Sequence, residues 1–165
     1  MATITGPRAW PSAEARLDGY RQVLREAGIA WDASAVETSP DWGPEGGRVA
    51  ATRLLDGGAP FTALFAQSDL TALGAIRELR ARGLRVPEDI SVVGYDDIPV
   101  AEFVHPALTT VRQPTREVGA LAAQIVLDRL AAEREGDGGA KPEKHLLPAE
   151  LVVRETVAPP RERSG

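Results

Sequence analysis

The stretch "TALFAQSDLTALGAIRELRARGLRVPEDISVVGYDDIPVAEFVHPALTTVRQPTREVG", residues 62–119, decides the fold. A short apolar run, Phe61 to Ala66, ends in Gln67, Ser68 and Asp69. Helical spacing follows, with Leu70, Leu73, Ile76 and Leu79 or Arg80 recurring every three or four residues until Gly83 stops the pattern. A second run, Ile90 to Tyr95, ends in Asp96 and Asp97, and a third, Leu108 to Arg112, ends in Gln113 and Pro114. Short β-branched runs alternating with helical patterns predict βα units around a doubly wound parallel sheet, an α/β fold. In such sheets ligands bind beyond the carboxyl ends of the strands, where helix N–H groups point outward. Each run here exits into polar or small residues, which places the candidate site along one sheet edge.

The pattern continues on both sides. Upstream, Ala2 to Thr5 and Ala35 to Thr38 read as further strands. "SAEARLDGYRQVLREAG" reads as a helix with Ser12 as N-cap, with Leu17, Tyr20, Val23 and Leu24 on one face, and with Gly28 just past its end. "GPEGGRVAATRLLDGG" carries Pro44 and Glu45 in its first turn and stops at Gly57. The longest helix spans Pro114 to Glu133, with Val118, Leu121, Ala122, Ile125, Val126 and Leu130 on one broad face. "EREGDGGAKPEK" reads as a flexible polar connection and "VAPPRERSG" as a frayed tail.

Composition narrows the function. The 165 residues hold 19 Lys and Arg against 24 Asp and Glu, a net charge of -5, so no large nucleic-acid footprint is expected. The absence of Cys excludes disulfides, thiolate metal sites and a Cys nucleophile. No apolar run approaches the roughly 18 residues of a membrane span, and "MATITGPRAW" lacks the features of an export signal, so a cytoplasmic chain is expected. Phosphate-loop, dinucleotide-binding, nucleophile-elbow and zinc-protease motifs are all missing. Ser68, Asp96 and His105 occur in the order of a hydrolase triad, but Ala66 and Leu70 stand where a nucleophile elbow uses Gly. Asp96 and Asp97 could meet a hard cation, yet neighbours on a strand end diverge. We therefore expect no enzyme, cofactor or metal.

What remains is Arg16, Trp42, Ser68, Asp96 and Gln113, all near strand-to-helix junctions. A carboxylate and a guanidinium engage vicinal hydroxyls, and an aromatic covers the apolar face of a sugar ring, so the set suits a polyhydroxylated ligand. Each residue also has a plainer reading: Arg16 as a solvated helix charge, Trp42 as a loop hydrophobe, Ser68 as a helix cap, Asp96 as a cap for the turn at Ile98 and Pro99.

Residues 69–75, 83–97 and 106–114 carry the runs D-x-x-A-x-G-A, G-L-R-V-P-x-D-I-S-V-V-G-Y-D-D and P-x-L-T-T-V-R-Q-P. In these the chain closely resembles the LacI/GalR family of bacterial ligand-responsive transcription regulators. "ITGP", "SAEARLDGY", "EAGI" and "LLPAELVVRETVAPP" extend the resemblance from Thr3 to Pro160. It implies a periplasmic-binding-protein-like type I lobe, matching the C-terminal half of the family's effector-binding domain. Residues 1–157 would form the effector-binding and dimerisation domain, and 158–165 a disordered tail. The helix over 114–133 would pack on the N-terminal subdomain, which, like the DNA-binding headpiece, has no counterpart in these residues.

By position, the resemblance implies that Arg16 and Ser12 contact effector, that Trp42 stacks on it, and that Asp96 of "GYDD" accepts its hydroxyls. Ser68 stands in "AQSD" where many sugar-binding members have Asn, Trp10 lies in the loop lining the site, where packing would also suit it, and Gln113 sits at the crossover. Homodimerisation through Leu70, Leu73 and Phe103 is implied, as is operator DNA as a partner of the full-length protein only. The alternative is a solute-binding protein of a sugar transport system, which shares the fold.

Overall fold

The computed structural model describes residues 1–134 and 143–159. Most of the connection expected over 133–144, and the tail from 160 onward, lie outside the described residues. Four parallel strands form the main sheet in the order β2-β1-β3-β4: β1 (Ala2–Thr5), β2 (Val36–Thr38), β3 (Ala63–Ala66) and β4 (Ser91–Val93). Register is set by Ala2 opposite Leu64, Thr3 opposite Val36, and Leu64 opposite Val92. Beyond β4 the chain continues the sheet through parallel bridges from Val93 to Thr109 and from Asp96 to Arg112. There β5 (Thr110–Arg112) pairs antiparallel with β6 (Glu150–Val152). β1 has the expected bounds, whereas β2 to β5 are shorter than the apolar runs that predict them, because the flanking residues turn into loops before completing a ladder.

Alternation along the strands divides the core. Ala2, Ile4, Leu64, Ala66 and Val92 face α2 (Pro44–Asp56) and α3 (Asp69–Ala81), burying Ala50, Ala51, Leu54, Ala72, Ala75 and Leu79. Phe65, on the opposite face, meets α1 (Pro11–Glu26) through Leu17, Tyr20 and Leu24. Helices thus cover both faces, as the doubly wound reading requires. α2 and α3 cross with their backbones nearly touching. A Cβ at Gly74 would run into the Pro44 carbonyl oxygen, and one at Gly47 into the backbone of Thr71.

Two local expectations need correcting. Ser12 is not the N-cap of α1: the helix begins at Pro11, with Trp10 in the N-cap position and no side-chain cap. Pro fits the first helical position because it has no N–H to leave unpaired. Val23 does not belong to the buried face, being 58% exposed. Its position on the helix turns it away from the Leu17, Tyr20 and Leu24 stripe. The other stops hold: Gly28 and Gly83 adopt the positive φ of a residue just past a helix end, and Gly57 caps α2.

The longest helix, α5 (Thr115–Arg134), buries none of its residues among those described. Val118, Leu121, Ala122 and Ile125 share a cavity of about 340 Å³ with Tyr95, Gln113, Leu146 and Leu147. Val126 and Leu130 are exposed.

Candidate functional site

The carboxyl ends of β1, β3 and β4 converge on a cleft of about 290 Å³. It is lined by Trp10, Ser12, Arg16, Trp42, Ser68, Leu70, Asp96 and Ile98. Six of the seven residues expected to meet ligand therefore share one cavity. The seventh, Gln113, stands behind it and donates from Nε2 to Asp96 Oδ1 at 2.5 Å. Of the residues assigned to a dimer contact, Leu70 lines this cleft, Leu73 packs partly on the core, and Phe103 is 81% exposed.

Each side chain is held from beneath. Arg16, one turn into α1, donates from one terminal nitrogen to the Gln67 carbonyl at 2.7 Å, and its guanidinium lies 3.9 Å from the centre of the Tyr95 ring. It sits 5.5 Å from the centre of the Trp42 ring, with its other terminal nitrogen 3.8 Å from Asp96 Oδ1. A guanidinium carries five donors in a planar fork, so donors remain for a ligand after these contacts. Trp42 can reach the cleft because residue 6 is Gly: its indole occupies the space a Cβ there would fill. Gln67, fully buried, donates to the Ala13 carbonyl and accepts from the Gly6 N–H, tying the ends of β1 and β3 to α1.

Ser68 lines the cleft and also caps a helix. Its hydroxyl accepts from the Thr71 N–H at 3.1 Å as the N-cap of α3 and lies 2.8 Å from the Thr71 hydroxyl. The hydrolase arrangement does not assemble, since His105 lines a different groove, with Leu73 and Val104, and its side chain is 93% exposed.

Adjacent aspartates serve opposite sides of the turn after β4, both at positive φ, 121° for Asp96 and 56° for Asp97. Asp96 faces the cleft. Asp97, with a side chain 8% exposed, accepts from Arg112 Nε at 2.6 Å and from Arg154 at 2.7 Å, joining the turn to β5 and to the chain after β6. With Asp97 committed to two guanidiniums, the pair does not converge on a cation, and no group of three or more metal-ligating side chains occurs among the described residues. The turn is anchored below by Asp69, whose buried carboxylate accepts from the Ile98 N–H at 2.8 Å and from the Thr110 hydroxyl. Gly94 leaves room for it, because a Cβ there would strike Asp69 Oδ1.

The two neighbouring carboxyls are shifted in opposite directions from the ordinary carboxylate value. Burial pushes the Asp96 carboxyl above the ordinary carboxylate range, opposed by the Gln113 hydrogen bond and the Arg16 charge and reinforced by nearby Asp69. Burial also acts upward on Asp97, but its hydrogen bonds from Arg154 and Arg112 outweigh it and hold that carboxyl below the ordinary value. A ligand gripped by ionised Asp96 should therefore lose affinity as pH falls through the raised pKa, at a higher pH than an unperturbed Asp would give. Binding titrations across mildly acid pH check this, and Asp96→Asn should flatten the profile.

A cleft at the carboxyl edge of a parallel sheet, with an aromatic wall beside a guanidinium and a carboxylate, defines a ligand-binding α/β lobe. Residues 1–157 match the periplasmic binding protein-like domain, and the chain belongs to that family. Its relatives are LacI-type regulators. It is 42% identical to the HTH-type transcriptional regulator CelR of Thermobifida fusca, over 94% of this chain and 44% of that protein. It is 39% identical to the HTH-type transcriptional repressor CytR of Escherichia coli K12, over 93% and 43%. The chain thus spans less than half the length of these curated relatives. Among solved structures, the CelR–cellobiose complex superposes with a TM-score of 0.86 at 42% identity, over 94% of this chain and 46% of that one. The lac repressor dimer bound to operator and the anti-inducer ONPF gives 0.79 at 36% identity, over 94% and 51%.

Gln67 and Asp69 read in the sequence only as the polar exit of a strand, Tyr95 only as the end of another, and Arg154 carried no reading of its own, because the roles of all four depend on partners distant in the chain.

Proposed function

We propose that the chain is an effector-sensing lobe of a LacI-type transcriptional regulator, taking a carbohydrate-like ligand at the Arg16, Trp42 and Asp96 cleft. One observation carries the reading: an indole wall, a guanidinium with free donors and a partly exposed carboxylate line a single cavity. Ser12, Trp10 and Gln113 complete the site, with Gln113 acting through Asp96. The kinship with regulators, one of them solved with cellobiose, supports this reading over a transport solute-binding protein. Ligand would close the cleft against a second lobe and shift the population of states that a DNA-binding headpiece reads in the cytoplasm. The apolar face of α5 would dock that second lobe.

Ligand-detected NMR over a panel of mono- and disaccharides tests the site. Arg16→Ala and Asp96→Ala should each cost about 1.5–3 kcal/mol of affinity, a tenfold loss or more. Unchanged affinity in both variants would move the site elsewhere.

The lobe should also pair with a second copy through the face carrying Phe103 and Leu73. Because Phe103 is 81% exposed, Phe103→Asp should leave the fold intact. Sedimentation should then report monomers, and an unchanged association state would place the interface on another surface.

A further inference from the structure

The two aspartates of the turn after β4 differ in what holds them. Both take positive φ, a region that a residue with a Cβ keeps only where its surroundings over-determine it. Asp96 supplies little of that restraint itself. Its N–H donates to the Val111 carbonyl at 2.9 Å, and its side chain meets Gln113 and Arg16 through Oδ1, which leaves Oδ2 without a partner among the described residues. The firmer hold lies one residue on. Asp97 Oδ2 accepts from Nε of Arg112, the last residue of β5, and its Oδ1 accepts from a terminal nitrogen of Arg154, two residues past β6. Arg154 is pinned in turn: its other terminal nitrogen donates to the Leu108 carbonyl at 2.8 Å, and its N–H to the Thr109 hydroxyl at 2.9 Å. A carboxylate held at both oxygens by planar guanidiniums cannot rotate without breaking a charge-assisted bond. Neither arginine lines the cleft.

We propose that Asp97 is the positioning residue of the cleft: gripped by Arg112 and Arg154, it fixes the direction in which Asp96 presents its carboxylate. The two grips come from β5 and from the chain just past its antiparallel partner β6, so the aim of Asp96 depends on both strands being in place. α5 departs from the end of β5, and residues 143–149 lead back into β6. A displacement of that excursion therefore reaches the cleft through Asp97, without either arginine touching ligand. The role toward a ligand rests on the reading of the cleft as an effector site.

Arg112→Lys and Arg154→Lys in the full chain test this, because Lys keeps the charge and loses the fork. Carbon-detected NMR follows the Asp96 carboxyl through an acid titration. In the intact turn burial raises that carboxyl, with Arg16, Asp69 and Gln113 as the other groups acting on it. In each variant it should titrate nearer the ordinary carboxylate value, as a carboxylate turned toward solvent does. A purely structural role would lower the urea midpoint and leave the Asp96 titration where it is. Arg112 is half exposed, so its variant should fold even if Arg154→Lys does not. An unchanged Asp96 titration in the folded variants overturns the proposal, and a shift in only one of two folded variants overturns the dependence on both strands. Ligand-detected NMR with D-glucose and cellobiose reads the consequence: affinity should fall about fivefold or more in both variants. Unchanged affinity beside a shifted titration also overturns the positioning role. If neither sugar binds the wild-type chain up to its solubility limit, the carbohydrate reading fails separately, and the carboxyl titration still decides whether Asp97 sets the aim of Asp96.

Discussion

Asp69→Ala should destabilise the lobe by about 3–5 kcal/mol, because it removes a fully buried carboxylate that satisfies two donors, one of them buried with it. The Ile98 N–H and the Thr110 hydroxyl both point at this carboxylate, which is fully buried at the start of α3. Each unsatisfied buried group costs about 1–3 kcal/mol, and a domain of this size has only about 5–15 kcal/mol in total. Asp69→Asn should cost less, since one carbonyl oxygen still accepts. Urea denaturation measures both. The damage should extend to function: Ile98 follows the Asp96 and Asp97 turn, so losing its anchor should weaken ligand binding even though Asp69 does not line the cleft. A variant with wild-type stability would show that the turn is held by something other than this carboxylate.

Gly74→Ala should be nearly as damaging, at about 3 kcal/mol or more. Ala is ordinarily the better helix former by about 1 kcal/mol, so the sign itself is informative. At Gly74 the added methyl meets the Pro44 carbonyl and the backbone N–H of Arg48, neither of which can swing aside like a side chain. α2 and α3 must separate, opening the small-residue seam of Ala50, Ala51, Ala72 and Ala75 in the main core. Gly19 in α1 provides the control. Nothing lies within 4 Å of a Cβ there, so Gly19→Ala should stabilise by about 0.5–1 kcal/mol. Thermal denaturation of the two variants should move the midpoint in opposite directions, and destabilisation by both would point to a general intolerance of Ala at these glycines.

The contrast between Gly74 and Gly19 shows what the sequence could and could not convey. Both sit in helical patterns, and nothing local distinguishes them; the difference lies in a helix some thirty residues away for one and open solvent for the other. The parallel sheet, the helix stops at Gly28, Gly57 and Gly83, and the edge where the cleft opens were legible because periodicity and punctuation are local properties. Ser12 misled because a Ser ahead of an apolar pattern looks like an N-cap, and Pro11 gave the helix an earlier start. Arg16, Trp42 and Asp96 stood out by their place near strand-to-helix junctions and again through family resemblance, and their convergence in one cleft is a property of the fold. The supports behind them were illegible for the same reason as Gly74: Gln67 reaches back to Gly6 and Ala13, and Asp97 reaches forward to Arg112 and Arg154.

The sheet's two faces are unequally covered. α2 and α3 close over the broad core on one side, whereas α1 is held by Leu17, Tyr20 and Leu24 against Phe65 and Val36. Arg16 and Ser12 ride on that thinner layer, with Trp10 leading into it. Local opening follows the amount of buried apolar contact, so among the helices packed on the four-stranded sheet α1 should open more readily than α2 and α3. That layer carries Arg16 and Ser12 of the candidate site. A ligand bridging Arg16 on α1 to Asp96 at the sheet edge would fasten that loose layer to the rigid one, and part of its binding free energy would appear as suppressed breathing of a single helix.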